Sequence, residues 1–292
     1  MDGLAAHSAV QIKTDEGSIM QYAVVNSERH EAFPGGRGAC PTCGSPVLAK
    51  CGPRVIHHWA HAARKDCDPW WENETDWHRE WKSLFPEACR EISYTALDGE
   101  IHRADVVTKT GIVIEFQHSA MTDVERLSRE TFYKNLIWIV DGRGFRNNFY
   151  ILHLLPDPAA KIVEDIVWFK ASRRRSANEI GLFWRPSENP GRVKGRLVRL
   201  HSTSEIEAEL NEAYVGHHQY QWVKPRQTWL DATCSVYIDL GDDLLARLET
   251  YNESGLQCIR FVAKEKFVHD AMTEPVATAI ATRFYPLPPN LM

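Results

Sequence analysis

The sequence predicts an α+β protein in which a mixed β-sheet is flanked by helices. Residues 101–107 and 112–117 are rich in β-branched and apolar side chains and are separated by a short turn, which is typical of a hairpin. A helical segment then leads to residues 136–140, a continuous apolar run that is typical of a strand buried on both faces. Parallel strands are usually joined by a helical crossover, so this strand–helix–strand order implies a mixed sheet.

The composition is that of an ordinary globular protein. The chain has 292 residues, with 43% hydrophobic and 25% charged side chains and a formal net charge of −5. It contains no apolar run of about 18 residues, so we expect no membrane span. Residues 1–10 also lack a basic start followed by an apolar stretch, so we expect no secretory signal and a cytoplasmic location.

Length and local composition predict four regions. Residues 1–68 would hold N-terminal strands and a metal-binding module, and residues 69–150 the α+β core. Residues 151–190 would form a basic connector, and residues 191–292 an α+β region of unknown role.

The segment at 73–85 predicts an amphipathic helix that Pro86 ends. Its apolar face carries Trp77, Trp81, Leu84 and Phe85. Its neighbouring polar face carries Glu74, His78 and Lys82 at successive four-residue intervals.

Weaker signals define the other elements. We expect extended segments within 8–26, a loop at 30–38, strands at 90–94, 235–240 and 257–264, and helices at 122–135, 157–169 and 242–250. Thr122 and Glu125 form a capping-box signature at the start of the second predicted helix.

The predicted hairpin brings two acidic side chains together. A three-residue loop ending in Gly111 would pair Thr108 with Ile112, and this register sets Asp105 opposite Glu115. Paired Cβ atoms lie about 4.5–5.5 Å apart, and carboxylates at that distance repel each other unless a cation lies between them. Oxygen ligands on a rigid sheet suit Mg²⁺.

A metal ion at this position would support hydrolysis. It would polarise a phosphoryl oxygen and lower the pKa of a bound water, and Gln117, on the same strand face as Glu115, would orient that water. The alternative is a surface hairpin with two solvated acids. The apolar neighbours Val113, Ile114 and Phe116 favour a half-buried strand instead.

A cluster of cysteine and histidine residues predicts a structural zinc site. Four of the seven cysteines lie between positions 40 and 67, and we expect no secretory signal, which together favour metal ligation over disulfides. The predicted ligands are Cys40, Cys43, His58 and His61, with Cys51, His57 and Cys67 as alternates. The competing interpretation is a pair of buried free cysteines with incidental histidines.

Two groups of residues are candidates for contact with nucleic acid. The segment 170–199 carries nine basic and two acidic residues, and Arg173, Arg174 and Arg175 are its densest part. Arg126, Arg129 and Tyr133 recur on one face of the predicted helix at 122–135. The alternative for both groups is an ordinary solvated surface.

Three segments together resemble the competence protein CoiA-like family of the PD-(D/E)xK nuclease superfamily. They are ENETDWHREWK, IHRADVVTKTGIVIEFQHS and RETFYKNLIWIV, and the resemblance covers about residues 38–142. It implies a restriction-endonuclease-like sheet, and HWAH, residues 58–61, is similar to the zinc-ribbon-like start of the family.

The resemblance also implies roles for individual residues. Asp105 and Glu115 would be the metal-binding acids, with Glu74 completing a Mg²⁺ or Mn²⁺ site. Gln117 stands where the superfamily usually has lysine, and His78 or Lys82 would contact the scissile phosphate. The implied function is a DNA nuclease in DNA uptake, mobile-element processing or phage defence.

Two alternatives follow from the same residues. Gln117 carries no positive charge, so the chain could keep the nuclease fold without catalysis and bind DNA through the zinc module and the basic strip at 170–199. The C-terminal half could instead be an adaptor that recruits a DNA-processing partner.

Overall fold

The computed structural model describes residues 19–63, 67–68, 70, 74–95, 99–173, 181–191, 195, 197–251 and 255–274. The chain divides into two compact units, Met1–Val106 and Val107–Met292. The predicted boundaries at 68, 150 and 190 stay predictions. None of the described helices combines the length and the apolar character needed to cross a membrane.

The first unit begins with a small antiparallel sheet. Its strands are β1 (Ile19–Met20), β2 (Tyr22–Val25), β3 (Glu28–Glu31), β4 (Arg37–Ala39), β5 (Pro46–Lys50) and β6 (His58–His61), in the order β1-β6-β5-β4-β2-β3. Its core consists of Met20, Ala23, Cys40, Val47 and Trp59. The predicted loop at 30–38 is therefore partly strand.

The remainder of the first unit contains the predicted helix and two strands. Helix α1 (Asp76–Ser83) is shorter than predicted, because Thr75 and His78 form a reciprocal capping box that fixes its start. A 3₁₀ turn at Glu87–Cys89 leads to β7 (Arg90–Thr95), which pairs antiparallel with β8 (Ile101–Val107). The extended segments predicted before residue 19 lie outside the described residues.

The second unit is built on a larger sheet. The helices and strands of the second unit are β9 (Val113–Gln117), α2 (Asp123–Phe132), β10 (Leu136–Asp141), β11 (Phe149–Leu154), β12 (Val167–Trp168), β13 (Leu182–Trp184), β14 (His201–Ser202), α3 (Glu207–Glu212), β15 (His217–Trp222), α4 (Gln227–Leu230), β16 (Ser235–Asp239), β17 (Leu244–Thr250), β18 (Gln257–Ala263) and α5 (Lys264–Thr273). Short 3₁₀ turns lie at Arg143–Asn148, Lys161–Asp165, Pro186–Glu188 and Thr203–Ile206.

This sheet is mixed, as the sequence predicts. Its strands follow the order β11-β15-β18-β17-β16-β10-β9, and β10 runs parallel to both β9 and β16. The other pairs in this set are antiparallel. Helix α2 makes the crossover between β9 and β10, so the mixed α+β class is confirmed. A restriction-endonuclease-like arrangement stays a prediction.

The tight turn before β9 has the predicted register. The backbone amide of Thr108 donates to the carbonyl of Ile112 at 2.9 Å, and that of Gly111 donates to Thr108 at 3.0 Å. Gly111 has φ +85°, the left-handed conformation that closes a three-residue loop. The loop therefore consists of Lys109, Thr110 and Gly111.

Two predicted helices in the second unit are wrong. Residues 157–169 form only a 3₁₀ turn followed by β12, since the β-branched residues of this segment suit an extended chain. Residues 242–250 contain β17, which lies between β16 and β18 in the sheet. Its leucines and alanine favour a helix locally, but pairing on both sides overrides that preference. Helix α5 was not predicted.

We expect Gly111→Ala to lower the free energy of unfolding by about 1 kcal/mol, because an added Cβ disfavours the left-handed conformation. Gly144→Ala is the matched control: its φ is not positive, and an added Cβ meets no atom within 4 Å. Chemical denaturation of both variants measures the difference. Equal effects would contradict the role assigned to the turn.

Candidate functional site

The first unit contains a compact group of three cysteines and one histidine. Cys40 and Cys43 lie in the turn between β4 and β5, His61 ends β6, and Cys67 follows it. One donor atom from each lies within 4.8 Å of the others. The Cys40 and Cys67 sulfurs are 3.8 Å apart, and Cys43 Sγ is 3.4 Å from His61 Nε2.

The group differs from the predicted ligand set at one position, because Cys67 takes the place of His58. His58 and His61 are three residues apart on a strand, where side chains alternate, so they point to opposite faces of β6. His58 instead places its Nδ1 2.7 Å from the carbonyl oxygen of Ile56. Among the described residues, this metal-ligand group includes neither Cys51 nor His57.

The pKa values of two thiols in this group shift in opposite directions. A hydrogen bond from Cys67 lowers the pKa of Cys40 to about 4, and the same bond, together with burial and the adjacent negative charge, raises the pKa of Cys67. Thiolates are the form that binds metal. Three sulfur ligands and one nitrogen ligand suit tetrahedral Zn²⁺, and four protein ligands leave no open position. The group can therefore bind a metal such as zinc in a structural role.

A second group in the first unit surrounds the ammonium of Lys82. Lys82 Nζ contacts Glu74 Oε1 and lies 3.0 Å from Glu91 Oε1. Arg79 Nε donates to the other oxygen of Glu74 at 2.8 Å. The Lys82 side chain is only 3% exposed, so these carboxylates supply the countercharge that its burial requires.

The ionised forms of this group stabilise one another. Burial lowers the pKa of Lys82, but the negative charges of Glu91, Glu74 and Asp105 outweigh it and raise that pKa above its usual value. Burial likewise raises the pKa of Glu91, and the positive charges of Lys82 and Arg103 outweigh it, with a net pKa of about 2. Asp105 on β8 thus contributes to the field at Lys82.

Sequence reasoning did not identify Glu91. It lies in β7 with φ +47°, an uncommon conformation for a residue with a Cβ. Its carboxylate accepts hydrogen bonds from the backbone amides of Gln21 and Tyr22. No motif or spacing in the sequence marks this residue, because the backbone amides that bind its carboxylate lie 69 and 70 residues away along the chain.

His78 has a local structural contact. Its Nδ1 lies 2.8 Å from Thr75 Oγ1 and 3.4 Å from the Thr75 amide, which closes the capping box of α1. The role in phosphate contact that the resemblance implies for His78 stays a prediction.

In the second unit, strand β9 buries its polar residues. Glu115 is 5% exposed, and its Oε2 lies 3.0 Å from Arg129 Nη1. Gln117 is 1% exposed, and its Nε2 donates to the carbonyl and the hydroxyl of Ser119, both at 3.3 Å. Glu115 is therefore not a solvated acid, so the alternative of a surface hairpin with two solvated acids does not hold for this residue.

The face of α2 that was proposed to meet phosphates is buried. Arg126, Arg129 and Tyr133 are each less than 5% exposed. Arg129 also pairs with Glu125 and lies over the ring of Trp138, and Arg126 pairs with Glu130. Helical spacing correctly predicts that these residues share a face, but that face packs against the sheet.

The basic strip is only partly described. The backbone amide of Arg173 donates to Gln221 Oε1, and its guanidinium lies 4.2 Å from the centroid of the Tyr150 ring. Arg174 and Arg175 lie outside the described residues. Contact between this strip and nucleic acid stays a prediction.

Comparison with known proteins gives one match. Residues 36–69 match the model of the competence protein CoiA, N-terminal domain. This segment contains the four residues of the metal-ligand group. Neither the curated proteins nor the solved structures give a significant match.

We expect the purified protein to contain about one Zn²⁺ per chain, and Cys67→Ser to lose most of it, since a tetrahedral site needs its fourth ligand. Elemental analysis by mass spectrometry measures the content. Cys51→Ser is the matched control, because Cys51 is outside the group, and it should retain the metal. A Cys67→Ser variant with full zinc content, or loss of zinc from His58→Asn rather than His61→Asn, would contradict this ligand set.

Proposed function

We propose that the chain is a metal-dependent DNA nuclease that hydrolyses phosphodiester bonds, with Asp105, Glu115 and Glu74 holding Mg²⁺ or Mn²⁺. The turn that pairs Thr108 with Ile112 is the main support. In the sequence, Asp105 precedes Thr108 by three residues and Glu115 follows Ile112 by three, and the turn has the register from which the pairing of the two acids is predicted.

The distribution of charge gives further support. Glu74, Glu91 and Asp105 lie around a single ammonium in the first unit, and Glu115 is buried in the second. Carboxylates are rarely buried unless they are paired or coordinate a metal. Mg²⁺ is commonly held by one or two carboxylates and keeps several waters, which suits acids carried on strands.

Each residue would have a separate part in the reaction. The bound ion would polarise the scissile phosphate and lower the pKa of its water. Gln117 would orient the attacking water through its amide. The phosphoryl group gains negative charge during in-line attack, and Gln117 is neutral, so the positive charge that a lysine would add to that of the metal has to come from elsewhere in the chain.

DNA is the proposed substrate, in a competence-related role that the match of residues 36–69 supports. Mobile-element processing and phage defence are alternative settings, and recruitment of a DNA-processing partner is an alternative role for the C-terminal half. We also propose a cytoplasmic location, since no cysteine in the described part of the chain forms a disulfide, as expected in a reducing compartment.

A second candidate is a DNA-binding protein that keeps the fold without catalysis. The buried pair of Glu115 and Arg129 favours it, because this carboxylate already has a cation from the chain itself. Gln117 in place of lysine also favours it. Such a protein would bind DNA with a strong dependence on salt and would have no Mg²⁺ affinity that depends on Glu115.

We expect Asp105→Asn and Glu115→Gln to reduce DNA cleavage by roughly a hundredfold or more, the scale on which loss of a group that stabilises transition-state charge acts. Cleavage of single-stranded, duplex and branched DNA is measured with Mg²⁺ or Mn²⁺. Asp123→Asn is the matched control, because Asp123 is exposed in the first turn of α2, and it should cleave normally. The proposal fails if wild type and Asp105→Asn behave alike on every substrate.

Metal titration separates the two candidates. For the nuclease, calorimetry should show Mg²⁺ binding to the wild type that weakens at least tenfold in Glu115→Gln, as expected when a ligand is lost. Circular dichroism checks that the variant is folded, because the change leaves the buried Arg129 with one partner fewer. Identical Mg²⁺ titrations, together with salt-sensitive DNA binding by both proteins, would support the binding-only candidate instead.

A further inference from the structure

Lys82 is the only lysine that is buried among the described residues. We propose that Glu91 is the positioning residue that fixes the Lys82 ammonium for the contact with the scissile phosphate that the resemblance implies for Lys82. The catalytic part of this inference rests on the proposed nuclease function, and the positioning part does not.

The Lys82 ammonium is held from two sides. Glu74 lies just before the N-cap of α1 and contacts Nζ. Glu91 on β7 lies 3.0 Å from the same atom. A lysine side chain has a long, flexible stem and a strongly hydrated head, so it is seldom buried without partners. Two carboxylates from different elements restrict Nζ to a small volume.

Backbone hydrogen bonds fix the Glu91 carboxylate independently of Lys82. Its Oε1 and Oε2 each lie 3.1 Å from the backbone amide of Gln21, and Oε2 lies 3.4 Å from the amide of Tyr22. These donors belong to the backbone of the small sheet and cannot rotate away as side chains do. The carboxylate therefore sets the position of Lys82 rather than following it.

The backbone of Glu91 has an energetically unfavourable conformation, which the surrounding structure must maintain. Its φ of +47° is in the left-handed region, where glycine or asparagine is favoured. Unfavourable conformations of this kind persist only where the surroundings determine them, and they cluster at functional sites. A glycine at position 91 would remove the conformational cost but would also remove one of the two carboxylate partners of Lys82.

The location of the lysine favours a catalytic role over a purely structural one. Asp105, a proposed metal-binding acid, interacts electrostatically with Lys82 in the same unit. If Asp105 held a metal, Lys82 would supply positive charge toward a phosphate bound there, since an ammonium acts as a point charge toward phosphate. A cation placed there stabilises negative charge that develops during hydrolysis.

Amine labelling tests the positioning step on the full chain. Acetylation of each lysine is followed by mass spectrometry, with the partly exposed Lys264 as the internal reference. We expect Lys82 to be protected in the wild type and to react at least about tenfold faster in Glu91→Gln, since the variant removes a charged partner that limits its exposure. Unchanged protection of Lys82 would overturn the positioning role, whether or not the protein cleaves DNA.

Cleavage kinetics test the catalytic step. We expect Glu91→Gln to lower kcat about a hundredfold while KM and Mg²⁺ affinity change less than about threefold, because Glu91 acts through Lys82 and not as a ligand. Lys82→Arg should retain at least about ten times the kcat of Lys82→Gln, since it keeps the charge. The exposed Lys109→Gln is the control and should behave as wild type.

The outcomes separate the inference from the proposed function. A wild type that cleaves no DNA ends the nuclease proposal and the catalytic role of Lys82, and labelling still decides the role of Glu91. If Glu91→Gln weakens Mg²⁺ binding as much as Asp105→Asn does, Glu91 is a ligand and the inference is wrong. If Glu91→Gln does not fold, Glu91→Asp replaces it, and unchanged kcat and labelling in that variant would overturn the inference.

Discussion

Compensation of buried charge is the constraint on which both units depend. Glu115 and Arg129 are paired in the second unit, and Glu74, Lys82 and Glu91 are grouped in the first. Removing one partner of a buried ion pair typically costs about 3–5 kcal/mol, whereas replacing the whole pair with apolar residues is often neutral or stabilising. Stability alone therefore does not explain why these positions are charged, and this supports the proposal that they take part in chemistry.

A metal ion that binds these acids would compete with the cations that already pair with them. A divalent ion at Glu115 must displace or share the carboxylate with Arg129, and an ion at Glu74 must do so with Lys82. Binding to acids that already have partners is weaker than binding to free acids, because the existing pairs must be rearranged. An Arg129 or Lys82 side chain released in this way would remain beside the acid that it had paired with. There it could interact with the negative charge of a phosphate.

The group of three cysteines and one histidine bears on the stability of the small sheet and not on buried charge. The small sheet of the first unit has a core of five buried residues, and a sheet this small buries too little apolar surface to be stable by that means alone. Cys40 belongs both to that core and to the ligand group. A metal there would therefore add its binding free energy directly to folding.

The sequence predicts local geometry better than it predicts what each element packs against. Gly111 and the loop length were sufficient to set the turn, because a three-residue loop has few solutions. The spacing of Arg126 and Arg129 identified a helix face but not its burial, since periodicity contains no information about the partner. The HxxH pattern was assigned as a ligand pair, but its residues lie on a strand, where His58 and His61 diverge.

Helix α1 shows that spacing alone does not distinguish the environments of residues that share one helix face. Glu74, His78 and Lys82 recur every four residues, and in the sequence they are equivalent members of one face. In the structure, Glu74 precedes the helix, His78 closes its cap, and Lys82 lies among the carboxylates. The three residues thus have distinct environments although they share one motif. The decisive partner, Glu91, comes from a strand elsewhere in the unit, and it was recognisable only from its contacts and its backbone conformation.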